Sequence, residues 1–453
     1  MKSGKGSLND IISYINYFSH EDNSVLEIGC GNGDLLASIS GKDKTGIDNS
    51  RECIELANHR YAGKGIKFLV MDAHEIKLTK KYDHIILSNL IESLEDIQSV
   101  FEQLKVCCHQ STKIIIHSYK PFWAPLLRLA EWLRIKQKTP IQNRMDSEDV
   151  RNLLYVSGFE VYRNTKRVLL PIFIPFLSLV FNKYLAKLPI LHLFTLDHYT
   201  FAKPLEQSTA DMTDYSVSIV IPARNESGNI ENTIKRLPKF GRCLEMIFIE
   251  GNSTDDTWKI IQQMQRKYAA MHNIKIGQQT GKGKADAVRT GFEMASGEIL
   301  MILDADLTVP PEDLPKFYNA LITGKGDFIN GTRLVYPMEK EAMRFLNYLG
   351  NQFFTIVFTW LLEQRFKDTL CGTKVMFRSD YMKLAKGRKY FGEFDPFGDY
   401  DLLFGAYKLN LKIVDVPVRY KERTYGVTNI SRFKHGLILL KMCLFASRKC
   451  KFI

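Results

Sequence analysis

The strongest constraint on this chain is a pattern of short apolar runs ending in glycine or an acid, and it is met twice. SVLEIGC, KTGIDNS, IKFLVMDA, YDHIILSN, STKIIIHS and HYTFAKP recur through residues 1–203, with spacers long enough for helices between them. Short apolar runs alternating with helical spacers build a doubly wound α/β sheet. A polar patch, EQSTADMTD, then offers almost nothing to bury. The pattern restarts with VSIVIPARN, LEMIFIEGN, NIKIGQQ, GEILMILDADL and GDFINGTR, and no fixed-period repeat relates the two halves. The expected fold class is therefore α/β with two different domains: 1–203, a linker 204–215, a second domain 216–429, and a basic amphipathic segment 430–453.

The formal charge of +12 favours an anionic partner: a phosphorylated substrate, an acidic membrane surface or a nucleic acid. Nucleic acid is the weakest of the three, because the basic residues are dispersed and no aromatic-interleaved basic patch appears. The eight cysteines have neither paired spacing nor a Cys/His cluster, as expected of reduced thiols in a cytoplasmic chain. The N-terminus lacks the apolar core of a signal peptide, and no uninterrupted apolar stretch reaches the length of a membrane span. Pro121–Leu133, Leu169–Leu196 and Phe353–Leu362 are nonetheless apolar for a wet surface. Each alone reads as packing material. With Ile430–Ile453, which carries six Lys/Arg and no acid, they point to peripheral contact with the cytoplasmic face of a membrane.

In VLEIGCGNGDLL a first strand turns into a helix through Gly29, Gly31 and Gly33, which lets the backbone approach a ligand closely. Asp48 ends the next strand 19 positions after Gly29, where a carboxylate can accept from two ribose hydroxyls. A nicotinamide-binding turn would need glycine where Asp34 stands, which argues against a dehydrogenase. With Asp72-Ala73 after the third strand and Ser88-Asn89-Leu90 after the fourth, the run resembles class I S-adenosylmethionine-dependent methyltransferases. That resemblance implies S-adenosylmethionine as cofactor, with Glu27, Gly29 and Gly31 at its methionine end, Asp48 at the ribose and Asp72 at the adenine amine, and with Asn89 also among the cofactor-binding residues. Tight turns and strand-end caps are the structural alternatives for the same residues. No catalytic base stands out: His59, His74, His84, His109 and His117 are scattered and read as surface or packing residues. Pro121–Lys138, amphipathic and basic, reads equally as a substrate cover, a lipid-facing segment or a packed helix.

In the second half, LMILDADL brings Asp304 and Asp306 to the end of a buried strand. Acids at i and i+2 of a strand share one face and repel unless a cation intervenes, and Mg²⁺ or Mn²⁺ meets that need while keeping positions for phosphate oxygens. Pro310 to Asp313 start the following helix, with proline early and acids in the first turn. VSIVIPARNESGNIENTI, IEGNSTDDTWKII, TGKGKADAVRTG, DTLCGTKVMFR and FGDYDLL surround the pair in order. Together the series resembles the family 2 glycosyltransferases of GT-A fold, in the branch of dolichyl-phosphate mannose synthase-like enzymes.

The resemblance implies a nucleotide-sugar donor bound by Pro222, Arg224, Asn225 and Glu226, with Arg224 where the family usually has tyrosine. Glu250 stands where an aspartate contacts base or ribose, Gly251 replaces a second acid, and Thr254 to Asp256 read as a helix start. Lys282, Lys284 and Arg289 can face the diphosphate, with a solvated basic loop as the alternative for each; by the resemblance Asp304 and Asp306 hold the metal and donor. Asp399 is the expected catalytic base, with Asp401 in reserve. Arg423, in an R-x-x-G loop where Asn429 replaces a lysine, and Arg333 and Lys374 are the acceptor or phosphate contacts, each of the latter two with a surface salt bridge as its alternative. The whole chain then reads as a metal-dependent inverting glycosyltransferase, acting on a lipid carrier or a lipid-linked or surface glycan, fused to a methyltransferase domain for the same pathway. An N-terminal domain that binds S-adenosylmethionine without turnover, serving for docking, is the second reading; a nucleic-acid-binding protein is the third. The sequence leaves the oligomeric state open.

Overall fold

The computed structural model describes residues 3–119, 147–170, 174, 176–205, 214–334, 345–390, 398–421, 423, 425 and 432–452. The expected insertion Pro121–Lys138 and Asn429 lie outside the described residues. The chain divides into two units, residues 1–207 with 452–453, and residues 208–451.

The first unit is built on seven strands: β1 (Ser24–Ile28), β2 (Asp43–Asp48), β3 (Ile66–Val70), β4 (Tyr82–Ser88), β5 (Cys108–Tyr119), β6 (Phe159–Arg167) and β7 (Asp197–Pro204). Their order is β3-β2-β1-β4-β5-β7-β6. The central strands are parallel, and β7 runs antiparallel to both β5 and β6. HYTFAKP, expected as one more turn of the βαβ alternation, is thus a reversed strand wedged between two others. Strands covered on both faces read as continuous apolar runs, as β1 and β4 do. Leu26, Ile28, Ile85, Leu87, Ile114 and Ile116 face one core beneath Val100, Phe101 and Leu154.

The second unit repeats the logic with β8 (Val217–Ala223), β9 (Leu244–Glu250), β10 (Asn273–Gln278), β11 (Ile299–Ile302), β12 (Phe328–Thr332), β13 (Lys374–Phe377) and β14 (Ile413–Pro417). The order is β10-β9-β8-β11-β13-β12-β14, with β13 antiparallel to β11 and β12. Ile219, Ile221, Phe248, Met301, Phe317 and Val375 lie in its core. The apolar segment Phe353–Leu362 falls in the helix Phe345–Leu362, where Phe358 packs on Tyr400 and Phe404 at 4.4 and 5.2 Å between ring centroids. Leu169–Leu196 is a series of short helical turns in its described part, with Phe176 and Ile190 exposed.

In both sheets the strand order reverses beside the first strand, between β1 and β4 and between β8 and β11. Chain leaving the carboxyl ends of two such strands diverges and opens a crevice, which is where open α/β sheets bind ligands. The two switch points are the places to look for sites.

Candidate functional sites at the two switch points

After β1, Gly29 and Cys30 both donate to the Ile47 carbonyl, at 2.8 and 3.0 Å, which folds the turn against β2. Gly29, Gly31 and Gly33 take φ of 70, 50 and 76°, left-handed backbone that costs glycine little. The three differ in what presses on them. A β-carbon on Gly29 would meet Leu90 at 2.7 Å and one on Gly33 would meet Phe68 at 2.6 Å, whereas one on Gly31 would meet nothing within 4 Å. Gly29 and Gly33 are glycines for packing, and Gly31 opens onto space.

Asp48 closes the same turn: Oδ2 accepts from the Gly31 amide at 2.8 Å and Oδ1 from the Ser50 amide at 2.9 Å. Glu27 is buried, which pushes its carboxyl well above the usual carboxylate range, and Asp48 and Asp34 add to the rise against a hydrogen bond from Leu36. Its Oε2 has no hydrogen-bond partner. A buried oxygen without a partner beside an open glycine cradle fits the polar methionine end of S-adenosylmethionine. Asp72 is occupied by its own turn, accepting from the amide and ring Nδ1 of His74 at 2.8 Å each, and those bonds hold its carboxyl below the usual range. Asn89 takes φ 53° at the end of β4 and its amide donates to the His117 carbonyl at 3.0 Å. His117, expected to be a surface or packing residue, has its ring between Ser88 Oγ and the carboxylate of Asp197.

In the second unit two loops are stitched together beyond β8 and β9. The Asn225 amide donates to Ser253 Oγ at 3.0 Å, Asn225 Oδ1 accepts from the Thr254 amide at 2.8 Å, and the Glu226 amide donates to Thr257 Oγ1 at 2.9 Å. Asp255 accepts from the Thr257 amide at 3.0 Å, so it starts the helix Thr257–Tyr268 as expected of that stretch. Pro222 lies in β8 and Arg224 is exposed at the loop's outer side. Glu250 is buried and turned inward, accepting from the Ser253 amide at 2.5 Å and from Gln278 Nε2 at 3.0 Å. Lys282 is exposed, beside the start of the helix Lys284–Met294.

The strand β11 stops at Ile302, so Asp304 and Asp306 sit in the turn beyond it, not on the pleat assumed from their spacing. Asp306 Oδ1 accepts from the amide and hydroxyl of Thr308 at 3.1 and 2.8 Å, and Leu307 between them is held at φ 56°. A bulky residue in that region is strained and marks a turn fixed by its surroundings. Each acid has a cationic partner from a different segment: Lys284 Nζ lies 2.6 Å from Asp304 Oδ1, and Arg423 donates to Asp306 Oδ2 at 2.5 Å. Burial pushes Asp304 upward, but Lys284, with Lys374 and Arg333 behind it, outweighs burial and holds the carboxyl below its usual range. Arg423 also reaches Glu226 Oε1 at 3.2 Å, joining the acid turn to the loop after β8. Burial, with Asp306 and Asp304 nearby, pushes Glu226 up to about 7 against the pull of Asn229 and Arg423. Tyr425 from the same R-x-x-G segment bonds Ser227 at 2.9 Å between hydroxyl oxygens, and its ring is where a β-carbon on Gly228 would go.

The remaining expected residues divide. Asp399 opens the helix Asp399–Lys408; its side chain lies outside the described residues, and Gly398 before it, at φ 76°, brings that helix start against Ala285. Asp401 is buried between Arg388 at 3.1 Å and Arg289 at 3.4 Å, so Arg289 faces this acid within the unit. Burial raises Asp401 above its usual range although both arginines pull it down. Arg333 holds Asp368 by Nε at 2.7 Å and by its other guanidinium arm at 2.9 Å, under the ring of Tyr420. Lys374 is buried and donates to the Cys371 carbonyl. These two basic residues face the unit's interior; the partner of Arg333 is a buried carboxylate and not a surface one.

Among the described residues no group of three His, Cys, Asp or Glu is placed to hold a metal. Two carboxylates at a switch point, each answered by a long cationic side chain, still fit a hard divalent ion whose other ligands come from phosphate oxygens.

Each of the two α/β units carries a turn at its switch point, one lined by glycines and a carboxylate and the other by paired acids and cations. Comparison with family models gives the families: residues 218–386 match Glycosyl transferase family 2 and residues 6–164 match a Methyltransferase domain, so the chain carries a family 2 glycosyltransferase domain behind a methyltransferase domain. It is 36% identical over 136 residues to a dolichol-phosphate mannosyltransferase of Pyrococcus furiosus, covering 29% of this chain and 37% of that one. Identity to the glycosyltransferase AglJ of Haloferax volcanii is 28% over 229 residues, 50% of this chain and 70% of that one. The chain spans 37% and 43% of the length of the first curated relatives it matches. Among solved structures, a glucosyl-3-phosphoglycerate synthase of Mycobacterium tuberculosis aligns with TM-score 0.37 and 18% identity, over 52% of this chain and 80% of that one. An S-adenosylmethionine-dependent methyltransferase of Mesorhizobium loti aligns with TM-score 0.33 and 16% identity, over 43% and 99%.

Proposed function

We propose that the C-terminal unit moves a sugar, with inversion, from a nucleotide-sugar donor to a lipid carrier or a lipid-linked or surface glycan, and that the N-terminal unit methylates a product of the same pathway. The observation that carries the transferase reading is the bridge Asp306–Arg423–Glu226, set beside the pair Lys284–Asp304. Acids and bases from four separate segments meet at one crevice, and their charges match those of a metal-bound diphosphate. Asp304 and Asp306 would hold Mg²⁺ or Mn²⁺, which would neutralise charge on the departing nucleoside diphosphate. Lys284 and Arg423 then turn to phosphate oxygens, and the Arg224–Glu226 loop with Glu250 fixes the nucleoside. Asp399 takes the proton of an attacking hydroxyl; a phosphate acceptor, already ionised near neutrality, does not need it. Similarity to a dolichol-phosphate mannosyltransferase supports a lipid phosphate as acceptor.

Among the described residues no helix is long and apolar enough to cross a membrane. Leu437, Leu440 and Leu444 are exposed on the helix Arg432–Ala446, and Arg448 and Lys449 follow it, which supports peripheral attachment to an anionic surface. Sedimentation with anionic vesicles at low salt tests this: protein left in the supernatant rules it out.

The direct test of the transferase is a panel of nucleotide sugars with Mg²⁺ or Mn²⁺, scored by nucleoside diphosphate release, with Asp306→Asn as control. Release from one donor, lost in the variant, is expected. A panel that is inert throughout, with the variant binding donors as the wild type does, removes the assignment.

A further inference from the structure

The N-terminal unit holds one polar arrangement that neither packing nor cofactor binding accounts for. His117, on β5, is fully buried, and so is Asp197 at the start of β7. The ring joins two groups: Nδ1 lies 3.3 Å from Ser88 Oγ, and Nε2 lies 3.5 Å from Asp197 Oδ1. Neither oxygen of Asp197 has a hydrogen bond. A buried carboxylate left without hydrogen bonds is costly, and such a group in a native fold calls for a reason. Tyr199 and Tyr119 flank the ring at 4.8 and 5.5 Å between centroids, and Tyr14 packs on Tyr199, so the cluster is walled by aromatic rings.

Its outer end opens at the switch point. Ser88 is the last residue of β4, only part-buried, and the register Ile28↔Leu87 sets it near Gly29, the first residue past β1. Leu90, two residues on, is the side chain that presses on Gly29. The same order, a half-exposed hydroxyl, a buried imidazole and a buried carboxylate, is what moves a proton away from a wet surface into a dry one. With Nε2–H directed at Asp197, Nδ1 is left to accept from Ser88.

We propose that Ser88, His117 and Asp197 form a proton relay serving methyl transfer to a hydroxyl-bearing acceptor, an inference that rests on the N-terminal unit being a methyltransferase. An alcohol is a poor nucleophile until its proton leaves, so alignment alone does not suffice for it. In the transfer the acceptor oxygen bonds to the methyl carbon of S-adenosylmethionine while the carbon–sulfur bond breaks and its electron pair stays on sulfur. The acceptor proton passes to Ser88 Oγ, the Ser88 proton passes to His117 Nδ1, and the imidazolium is held by Asp197. Ser88 is the catalytic residue; His117 and Asp197 position and charge it. The contact to Ser88 is a long hydrogen bond and the one to Asp197 is not yet formed, as catalytic contacts commonly are before substrate is bound.

The test needs no acceptor. Sinefungin carries an amine where S-adenosylmethionine carries its methyl, and S-adenosylhomocysteine carries nothing there. A relay bearing one negative charge at that point favours the ammonium, so wild type should bind sinefungin about tenfold tighter than S-adenosylhomocysteine, as a charge-assisted hydrogen bond predicts. Calorimetry on the full chain should show Ser88→Ala and Asp197→Asn losing that preference while keeping S-adenosylhomocysteine affinity and the thermal midpoint. An unchanged preference in folded Ser88→Ala overturns the relay and leaves the cluster as packing. Failure of wild type to bind S-adenosylhomocysteine at all removes the methyltransferase reading instead. Should Asp197→Asn not fold, Ser88→Ala, at a part-buried strand end, decides the matter alone.

Discussion

At the carboxyl end of β1 the N-terminal unit lays three left-handed glycines against one carboxylate, Asp48, whereas at the ends of β8 and β11 the C-terminal unit crowds Glu226, Asp304 and Asp306 with Lys284 and Arg423. Both crevices arise from the same reversal of strand order, so topology supplies position in each. What differs is how affinity is made. The first site relies on backbone shape, an open cradle at Gly31 and an unpartnered oxygen on Glu27. The second relies on charges from distant segments that neutralise one another until a ligand with the same charges arrives. A shape-based site should tolerate changes in salt, and a charge-based one should not.

The largest effect expected from breaking the contrast is at Asp306. Replacing it with asparagine removes the proposed metal ligand and frees Arg423, and donor turnover should fall by about a thousandfold, the order seen when a preorganised electrostatic partner is lost. S-adenosylhomocysteine affinity, measured on the same protein, should not change. A loss of both would mean the variant is misfolded. In the other unit, Asp48→Ala removes the proposed acceptor for ribose hydroxyls and also releases the amides of Gly31 and Ser50. Calorimetry should show S-adenosylhomocysteine binding weakened by roughly a hundredfold, about two hydrogen bonds to a charged group, with donor turnover intact.

A smaller effect probes whether the cationic side chains stand in for a metal. On the proposed function, Lys284, paired with Asp304, would compete with a divalent ion for that carboxylate when no nucleotide is present. Lys284→Gln should therefore tighten Mn²⁺ binding by roughly fivefold, about 1 kcal/mol for a partly screened pair, while weakening donor binding. Weaker binding of both, by paramagnetic titration, would show that the lysine supports the acid turn and does not compete.

How much of this was legible in the sequence follows from what each element buries. The strands β1, β4, β8, β9 and β11 are mostly apolar and could be read directly. β6, FEVYRNTKR, could not, because its buried positions include Arg163, Thr165 and Arg167. Arg163 lies over the rings of Phe18 and Phe201 at 4.6 and 4.8 Å, so an inward arginine replaces the apolar residue that patterning needs. β13 and β14 are four and five residues long and hold too little pattern. The site motifs that run along the chain, the glycine turn and the acid pair, were visible; their partners were not. Arg423 is 117 residues from Asp306 and 197 from Glu226, and no local spacing reports a contact made by the fold. His117 failed for the same reason: alone it resembles any core histidine, and only pairing of β5 with β4 and β7 gives it Ser88 and Asp197.

The smallest effect sharpens the contrast through pH. The ordinary glutamate value in the unfolded chain is 4.5, and burial in the folded unit pushes Glu226 up to about 7. The folded state thus binds the proton more tightly than the unfolded state. Below pH 4.5 both states are protonated and the residue is neutral in its effect. Between 4.5 and 7 the unfolded chain ionises first, so the C-terminal unit loses stability as pH rises, and above 7 the loss is complete. Glu226→Gln, which keeps an oxygen for Asn229, should raise the thermal midpoint of this unit at pH 8 and leave it unchanged at pH 4, by a few degrees at most because Arg423 offsets part of the burial. Bound metal and diphosphate should draw Arg423 away from Glu226, so donor and Mn²⁺ together should widen the difference between variant and wild type at pH 8. If the two proteins melt alike at every pH, Glu226 is ionised without cost, and the crevice of the C-terminal unit is wetter than the burial of its three acids implies.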